Sequence, residues 1–592
     1  MQEPEIFERP VVSKDPEAHA IGDDNGTYGG TVGTVYSTGL RPTVGEDVDS
    51  EDYRDFVYPE DRKLGTWSTA FLIINRVVGA GIFSTPARII YYLDSVGTTL
   101  LFWVLGGVMT FWLFVYLEYG TALPRSGGEK VYLERVYRKP NYLATCIFAG
   151  WCLHASAIVL VTYLIIVQFV LFAISTGNSI SFSSYLLRAI LLEPREGSWL
   201  NRGIAVATIT VVCLIHAFAP RWGIWLGNGF GAFKLVMLSL LVCTGFAALS
   251  GRMAVPPPDN FSSFSGAGTS KSPNDTADSA GAAGGYSIAL LQVLYSYSGW
   301  ENANYVLTEV KNAPRTLRKA APISISVVTI LYLLANISYF AAMSKKEIGS
   351  GGTTVAAQFF ENVWGKSAFV VRVMPLFIGL SALGNAFAQS FAMPRVKQEL
   401  SKEGILPWSR FWASDWPFGS PSGAILLHWI FSTIFILGSN TPDVYVFVTN
   451  VFIYTGNYIK LFLALGLVYL NFAPSEKWSE QRTTFRSSPL LTIFWIVALL
   501  FVQVAPFIEN DFLRKVPYYV FPTLGTSLLV IGTAYWLAWA KVLPAFGYVI
   551  HHEVVQMPDG SERVRYKRNK PKKPKKRKKQ GQWSRQREPP VW

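Results

Sequence analysis

The chain has 592 residues, half of them hydrophobic, with 39 Phe, 28 Tyr and 19 Trp against 16% charged residues; this composition excludes a disordered chain and points to a membrane protein. The net charge of +13 is local, because fourteen Lys or Arg and no Asp or Glu fall between Arg563 and Arg587, and a nearly neutral remainder argues against nucleic acid as a partner. Four cysteines, Cys146, Cys152, Cys213 and Cys243, all fall in apolar stretches, so neither a disulfide framework nor a metal site is expected.

Residues 1–62 hold fifteen Asp or Glu and no apolar periodicity, which predicts a disordered acidic cytosolic tail. No cleavable signal peptide is expected, so the first span should act as its own insertion signal. Twelve apolar stretches follow, each suited to crossing about 30 Å of hydrocarbon. They lie near 65–92, 98–120, 142–174, 203–219, 226–249, 286–309, 322–343, 368–393, 424–438, 443–470, 489–508 and 518–541; the ninth is short. The reading is an all-α polytopic membrane protein with twelve transmembrane helices over 63–545 and a basic tail at 546–592. Lys and Arg crowd the loops between spans two and three, six and seven, and eight and nine, which places those loops and both tails in the cytoplasm. For the basic tail, attraction to anionic membrane lipid and a solvated tail that merely enforces topology are both open. The linker 251–285 falls outside on the same count and carries two glycosylation sequons, at Asn260 and Asn274. Between Val355 and Trp364 a short helix is expected over the outer mouth.

Two spans are poor material for continuous helices. The first contains Asn75-Arg-Val-Val-Gly-Ala-Gly-Ile-Phe-Ser-Thr-Pro86 and the sixth Tyr295-Ser-Tyr-Ser-Gly-Trp-Glu-Asn302. A membrane helix must satisfy its own backbone, so glycines and a proline at its centre suggest a deliberate break, exposing N–H groups on one side and carbonyls on the other. Tight packing through small residues is the alternative for the first stretch alone. Interruptions at equivalent positions in two halves indicate a transporter of inverted repeats with its site between them. Gly79 to Gly81 and Ser296 to Trp300 then become facing walls of one site.

Ionisable residues inside spans are functional candidates. Lys234, placed near the cytoplasmic end of span five, reads either as a cation fixed beside the first break or as a lysine snorkelling to the interface. Glu301, just after the second break, reads as a proton carrier or a polar partner. Glu118, and Glu309 with Lys311, read as structural, and His154, His216 and His428 as buried histidines without a role.

Four stretches in order resemble a known family: the glycine-rich first span, Glu118-Tyr-Gly-Thr-Ala-Leu-Pro-Arg-Ser-Gly-Gly-Glu-Lys130, Phe233-Lys-Leu235, and Tyr295 to Trp300 continuing to Glu309-Val-Lys-Asn312. The chain is similar to the amino acid, polyamine and organocation (APC) transporters, within them to the L-type amino acid transporters, and most closely to the fungal high-affinity methionine permeases; Ser126 to Lys130 with Tyr132-Leu-Glu134 carries that last step. The resemblance covers about 60–545. It implies a LeuT-like 5+5 inverted repeat with broken helices one and six plus two extra C-terminal helices. It also implies that backbone N–H groups of Ala80 and Gly81, with Ile82 adjacent, hold a substrate carboxylate. Carbonyls of Val77, Tyr295 and Ser298 would meet the amino group, Tyr295 would gate, and Tyr297, Gly299 and Trp300 would shape the pocket. Lys234 matches a lysine that replaces a sodium ion in some relatives, with Ser381 as its neighbour, which raises the cation reading over snorkelling. Without a cysteine between spans three and four, no disulfide-linked heavy chain is expected.

The function implied is import of neutral amino acids, methionine foremost, coupled to protons through Lys234, Ser381 or Glu301. Another substrate such as cystine, GABA or choline, or a nutrient receptor without net transport, stays open. No cofactor and no enzymatic constellation is identified.

Overall fold

The computed structural model describes residues 63–136, 175–192, 197–261, 279–350, 355–402, 406–438, 442–481, 485–508, 517–527, 549–556 and 562–569. The acidic tail, the predicted third span, Cys146, Cys152, His154 and Asn274 lie outside them.

The first span is two helices, α1 (Thr66–Val77) and α2 (Ala80–Leu93). The second is α3 (Val96–Thr110) followed by α4 (Leu113–Ala122), and α5 (Glu129–Val136) comes after the Ser-Gly-Gly loop. Beyond the predicted third span stands α6 (Thr176–Leu191), a buried polar helix in a stretch whose Thr, Asn and Ser content hid it from an apolarity reading. Next come α7 (Trp199–Phe218) and α8 (Pro220–Leu249). The sixth span is α9 (Ser279–Ser296), a turn, and a 3-10 segment (Trp300–Glu309). The chain continues through α10 (Ala313–Ala342), α11 (Val355–Trp364), α12 (Met374–Lys402), α13 (Ser422–Gly438), α14 (Pro442–Phe472) and α15 (Pro489–Val504).

Among the described residues, eight helical stretches are long and apolar enough to cross a membrane: Thr66–Leu93, Val96–Ala122, Trp199–Phe218, Pro220–Leu249, Ala313–Ala342, Phe369–Lys402, Asn450–Phe472 and Pro489–Phe507. The predicted sixth span is divided by its break, the ninth, α13, is short, and the twelfth is described only to 527. Exposed Val211, Val236, Phe246, Ile330 and Val497 make an apolar exterior that is stable facing lipid and costly facing water. Exposed Trp199, Trp222 and Trp225 sit at or near helix starts, where indole rings favour the interface.

One departure from the all-α expectation lies in the basic tail. Val549–Gln556 (β1) and Glu562–Asn569 (β2) pair antiparallel, with Val549 opposite Asn569 and Gln556 opposite Glu562. Val and Tyr alternating with polar residues suit strands, and the connecting sequence contains Pro558-Asp-Gly560, a turn signal. Charge obscured that alternation.

The arrangement that positions the site is a crossing of the two divided spans. Leu64 N–H donates to Glu309 O at 2.7 Å and Lys311 N–H to Leu64 O at 2.9 Å, which ties the entry of α1 to the exit of the 3-10 segment. At the other end α2 packs on α9. The two interruptions are therefore brought together at mid-height. Around them α8, α10 and α12 pack on α1, and α6 packs on α12. Beside this core, α11 forms as expected and buries Val355, Phe359 and Phe360. Glu309 forms a buried two-point ion pair with Arg395 of α12 rather than with Lys311, and Nη2 donates to Oε2 at 2.9 Å. Glu118, fully buried, accepts from Trp478 Nε1 at 2.8 Å and Ser487 N at 2.7 Å, a structural clamp on the chain after α14.

Candidate functional site: two facing helix breaks

The first break occupies two residues. Val78 (φ −75°, ψ 98°) and Gly79 (φ −137°, ψ −150°) are extended between α1 and α2. Pro86 lies inside α2, so the glycines rather than the proline mark the break. Leaving the helix strips intrahelical partners from the last carbonyls of α1, and a buried acceptor without a donor costs about 1–3 kcal/mol. Each is served from another helix. Lys234 Nζ donates to Asn75 O at 2.6 Å and also to Val78 O; Asn385 Nδ2 donates to Arg76 O at 2.7 Å; Tyr332 Oη donates to Val77 O at 3.0 Å.

These contacts correct the placing of Lys234. It lies midway along α8 because that helix starts at Pro220, and it is fully buried, so snorkelling is excluded. Ser381 is buried but its Oγ has no hydrogen-bond partner among the described residues; the α12 residue against the lysine is Gly384, where a Cβ would stand 3.0 Å from Lys234 Cε. Asn385 accepts in turn from Asn178 Nδ2 of α6 at 3.0 Å and from Arg76 Nη1 at 3.4 Å.

On the other side of the break no side chain among the described residues caps the N-terminus of α2. Glycine at its cap removes the competitor that Ser or Asp would supply, and the first-turn N–H groups carry the positive end of the helix dipole. This is the chemistry of an anion site. The flanking carbonyl end is already loaded with donors, Lys234 among them.

The second break is a turn. Tyr297 N donates to Val293 O at 3.1 Å, Ser298 N to Tyr295 O at 3.1 Å, and Ser298 Oγ to the same carbonyl at 2.8 Å. Gly299 follows with φ +116°, a left-handed backbone that only glycine adopts without strain. Its N–H donates to Glu301 Oε2 at 3.0 Å, and Asn302 N returns to Gly299 O at 3.0 Å.

The two breaks touch at two points. A Cβ on Gly299 would lie 3.0 Å from Arg76 O, and one on Gly81 would lie 3.0 Å from Ser296 Cα. Thr85 Oγ1 and Ser296 Oγ share a hydrogen bond at 2.6 Å across the same seam. Val77, Gly79, Gly81, Ile82, Ser298 and Gly299 are thus gathered at one place, and Ala80 follows the break in the chain. Two predicted pocket residues point elsewhere. Tyr297 is buried against Trp103 and Tyr332 and donates to Trp103 O at 3.2 Å; Trp300 packs edge-on to Tyr116 at 4.8 Å. Tyr295 is half-buried, but its carbonyl already takes two donors from Ser298 and has no lone pair left for an ammonium. Arg76, Tyr332 and Asn385 carry no spacing signal as single polar residues in apolar helices, and Asn178 lies in the polar helix α6 that an apolarity reading does not reveal.

Outside the seam, Asn260 is buried and its Nδ2 donates to Phe340 O at 2.8 Å and Met343 O at 2.7 Å. Both amide hydrogens are engaged, which corrects its reading as a glycan acceptor. A narrow cavity bordered by α1, α7, α8 and α12, lined by Asn75, His216 and Phe391 among others, has none of the predicted substrate residues in its wall.

Comparison with known proteins places this geometry. A family model described as amino acid permease matches residues 64–533. The chain is 32% identical to the high-affinity methionine permease of Saccharomyces cerevisiae over 511 residues, 85% of this chain and 84% of that protein. It is 27% identical to the low-affinity methionine permease of the same organism, covering 91% and 94%, and 26% identical to the human b(0,+)-type amino acid transporter 1, covering 85% and 94%. A polytopic chain with two divided spans and a family match over most of its length belongs to the amino acid permease family.

Proposed function

We propose that this protein imports neutral L-amino acids, methionine foremost, across the plasma membrane by alternating access, coupled to protons. In this reading the chain has twelve spans in a LeuT-like inverted repeat and both termini in the cytoplasm. The observation that carries it is the asymmetry of the first break: served carbonyls on one side, an uncapped helix start on the other. A zwitterion fits that pattern. Its carboxylate docks on the N–H groups of Ala80, Gly81 and Ile82. Its ammonium faces the Ser298 carbonyl and the second lone pair of Val77 O, since Tyr295 O is taken. Using backbone for the atoms shared by all amino acids leaves selection to side chains at the walls. Methionine is preferred on the likeness to two yeast methionine permeases.

Lys234 fixes a positive charge where a sodium ion would otherwise be needed to hold the unwound carbonyls. It serves as the donor that holds the broken end of α1, and the coupling proton binds at another group. Purified protein in proteoliposomes tests this: labelled methionine accumulates under an inward proton gradient without sodium, and unlabelled neutral amino acids compete. Accumulation that survives collapse of the gradient refutes proton coupling; binding without accumulation favours a receptor.

A further inference from the structure

The loop Ser126-Gly-Gly-Glu129, between the second span and α5, wraps the 3-10 segment that follows the second break. Ser126 Oγ bonds Thr308 Oγ1 at 2.6 Å and accepts from Thr308 N at 3.1 Å, and Gly127 N donates to Tyr305 O at 3.3 Å. Gly128 has φ +55°, and a Cβ there would lie 2.7 Å from the Tyr305 ring. The loop is thus moulded to the segment.

Glu129 closes this loop and is only 4% exposed. Its Oε1 accepts from Tyr116 Oη of α4 at 2.9 Å and from Tyr305 Oη of the 3-10 segment at 2.9 Å. Its Oε2 is buried with no hydrogen-bond partner among the described residues, and no cation pairs with the carboxyl there. A buried carboxylate held by two neutral phenols and by its own backbone N–H still has a high desolvation cost, and adding a proton removes the charge that causes it. The surrounding titratable groups pull in both directions. From the 3-10 segment come the Tyr305 phenol and the Glu301 carboxylate, whose negative charge opposes ionisation; from α4 comes the Tyr116 phenol; from α5 itself come Lys130 and Tyr132, the latter donating to Asn304 Oδ1 at 2.9 Å. Arg76, at the end of α1, brings the positive charge that acts on Tyr305. Burial and Glu301 together push the Glu129 carboxyl up to about 7.

We propose that Glu129 is the site that binds the coupling proton, and that its charge sets how tightly the 3-10 segment of the sixth span is held to α4 and α5. The proposal rests on the permease reading and deepens it. As a carboxylate, Glu129 accepts two charge-assisted hydrogen bonds that draw Tyr305 and Tyr116 together. As a carboxylic acid it binds one proton from water, and those two bonds become neutral and weaker. Since Trp300 packs on Tyr116 and Gly299 packs on the first break, release of Tyr305 loosens the half of the sixth span that touches the substrate seam. Protonation is thereby linked to movement.

The test uses the full-length protein in proteoliposomes and two readouts, methionine counterflow as a function of pH and accumulation driven by an inward proton gradient. Wild-type counterflow should change with a midpoint near 7. Glu129→Gln, a permanent mimic of the protonated acid, should keep counterflow, flatten that profile and lose gradient-driven accumulation. Tyr305→Phe removes a bond that favours the carboxylate, so its midpoint should move to higher pH; this variant decides the matter should Glu129→Gln fail to reach the membrane. A wild-type midpoint and gradient response in Glu129→Gln, or an unmoved midpoint in Tyr305→Phe, overturns the proposal. Should wild-type protein not transport methionine at all, the permease reading fails separately. Infrared difference spectra then still test Glu129: the wild type should lose a protonated-carboxyl band as pH rises through about 7, and Glu129→Gln should lack it. Its absence from the wild type overturns the assignment.

Discussion

The two breaks solve one problem in opposite ways. The break in the first span is held from outside, its carbonyls pinned by Lys234 of α8, Tyr332 of α10 and Asn385 of α12. The break in the sixth holds itself, through Ser298 on Tyr295, Asn302 on Gly299 and Glu301 on the Gly299 N–H. A break fixed by three helices keeps its donors in place as neighbours move, which suits the part that positions a carboxylate. A self-contained turn followed by a 3-10 segment can shift as a unit, which suits the part that moves.

Substitutions sharpen this contrast, starting with the largest effect. Gly81→Val should abolish methionine uptake with protein still at the membrane, because even a Cβ there meets Ser296 Cα at 3.0 Å and a branched side chain cannot yield; surface labelling with uptake measures both. Lys234→Ala strips the donor from two carbonyls. At about 1–3 kcal/mol for each of the two acceptors left bare, uptake should fall by about thirtyfold or more, and normal uptake would remove Lys234 from the mechanism. The sixth-span side should instead respond to pH. With its carboxyl raised from an ordinary 4.5 to about 7, folded Glu129 binds a proton more tightly than the unfolded chain. Its contribution is therefore full below about 4.5 and is lost as pH rises through about 7, by up to about 3 kcal/mol. Melting in detergent should show this loss in the wild type and not in Glu129→Gln. Tyr332→Phe removes one neutral donor from Val77 O, worth about 1 kcal/mol, so uptake should fall about fivefold, less than for Lys234→Ala.

Much of this was legible in sequence because it is backbone chemistry. Gly79, Gly81 and Gly299 mark the two places where the chain leaves the α-helix, and glycine is read one residue at a time. The partners were not legible. Lys234 lies more than 150 residues from the carbonyls it serves, and Tyr332 and Asn385 look like ordinary polar residues in apolar helices. Helix α6 went unseen because Thr176-Gly-Asn-Ser179 carries loop chemistry, although burial turns those same hydroxyls inward, with Ser179 Oγ on Ser175 O at 3.0 Å. Glu129 stands within a motif, but its significance comes from the convergence of Tyr116 and Tyr305 on its carboxyl.

The proposed grip on both charges of an amino acid comes from main-chain groups at the two breaks. Competition against labelled methionine uptake by methionine methyl ester and by 3-(methylthio)propylamine, which lack the free carboxylate, and by 4-(methylthio)butanoate, which lacks the amine, tests it most directly. Unlabelled methionine should compete fully and all three analogues should fail. Competition by any analogue on a par with methionine would contradict a two-ended grip.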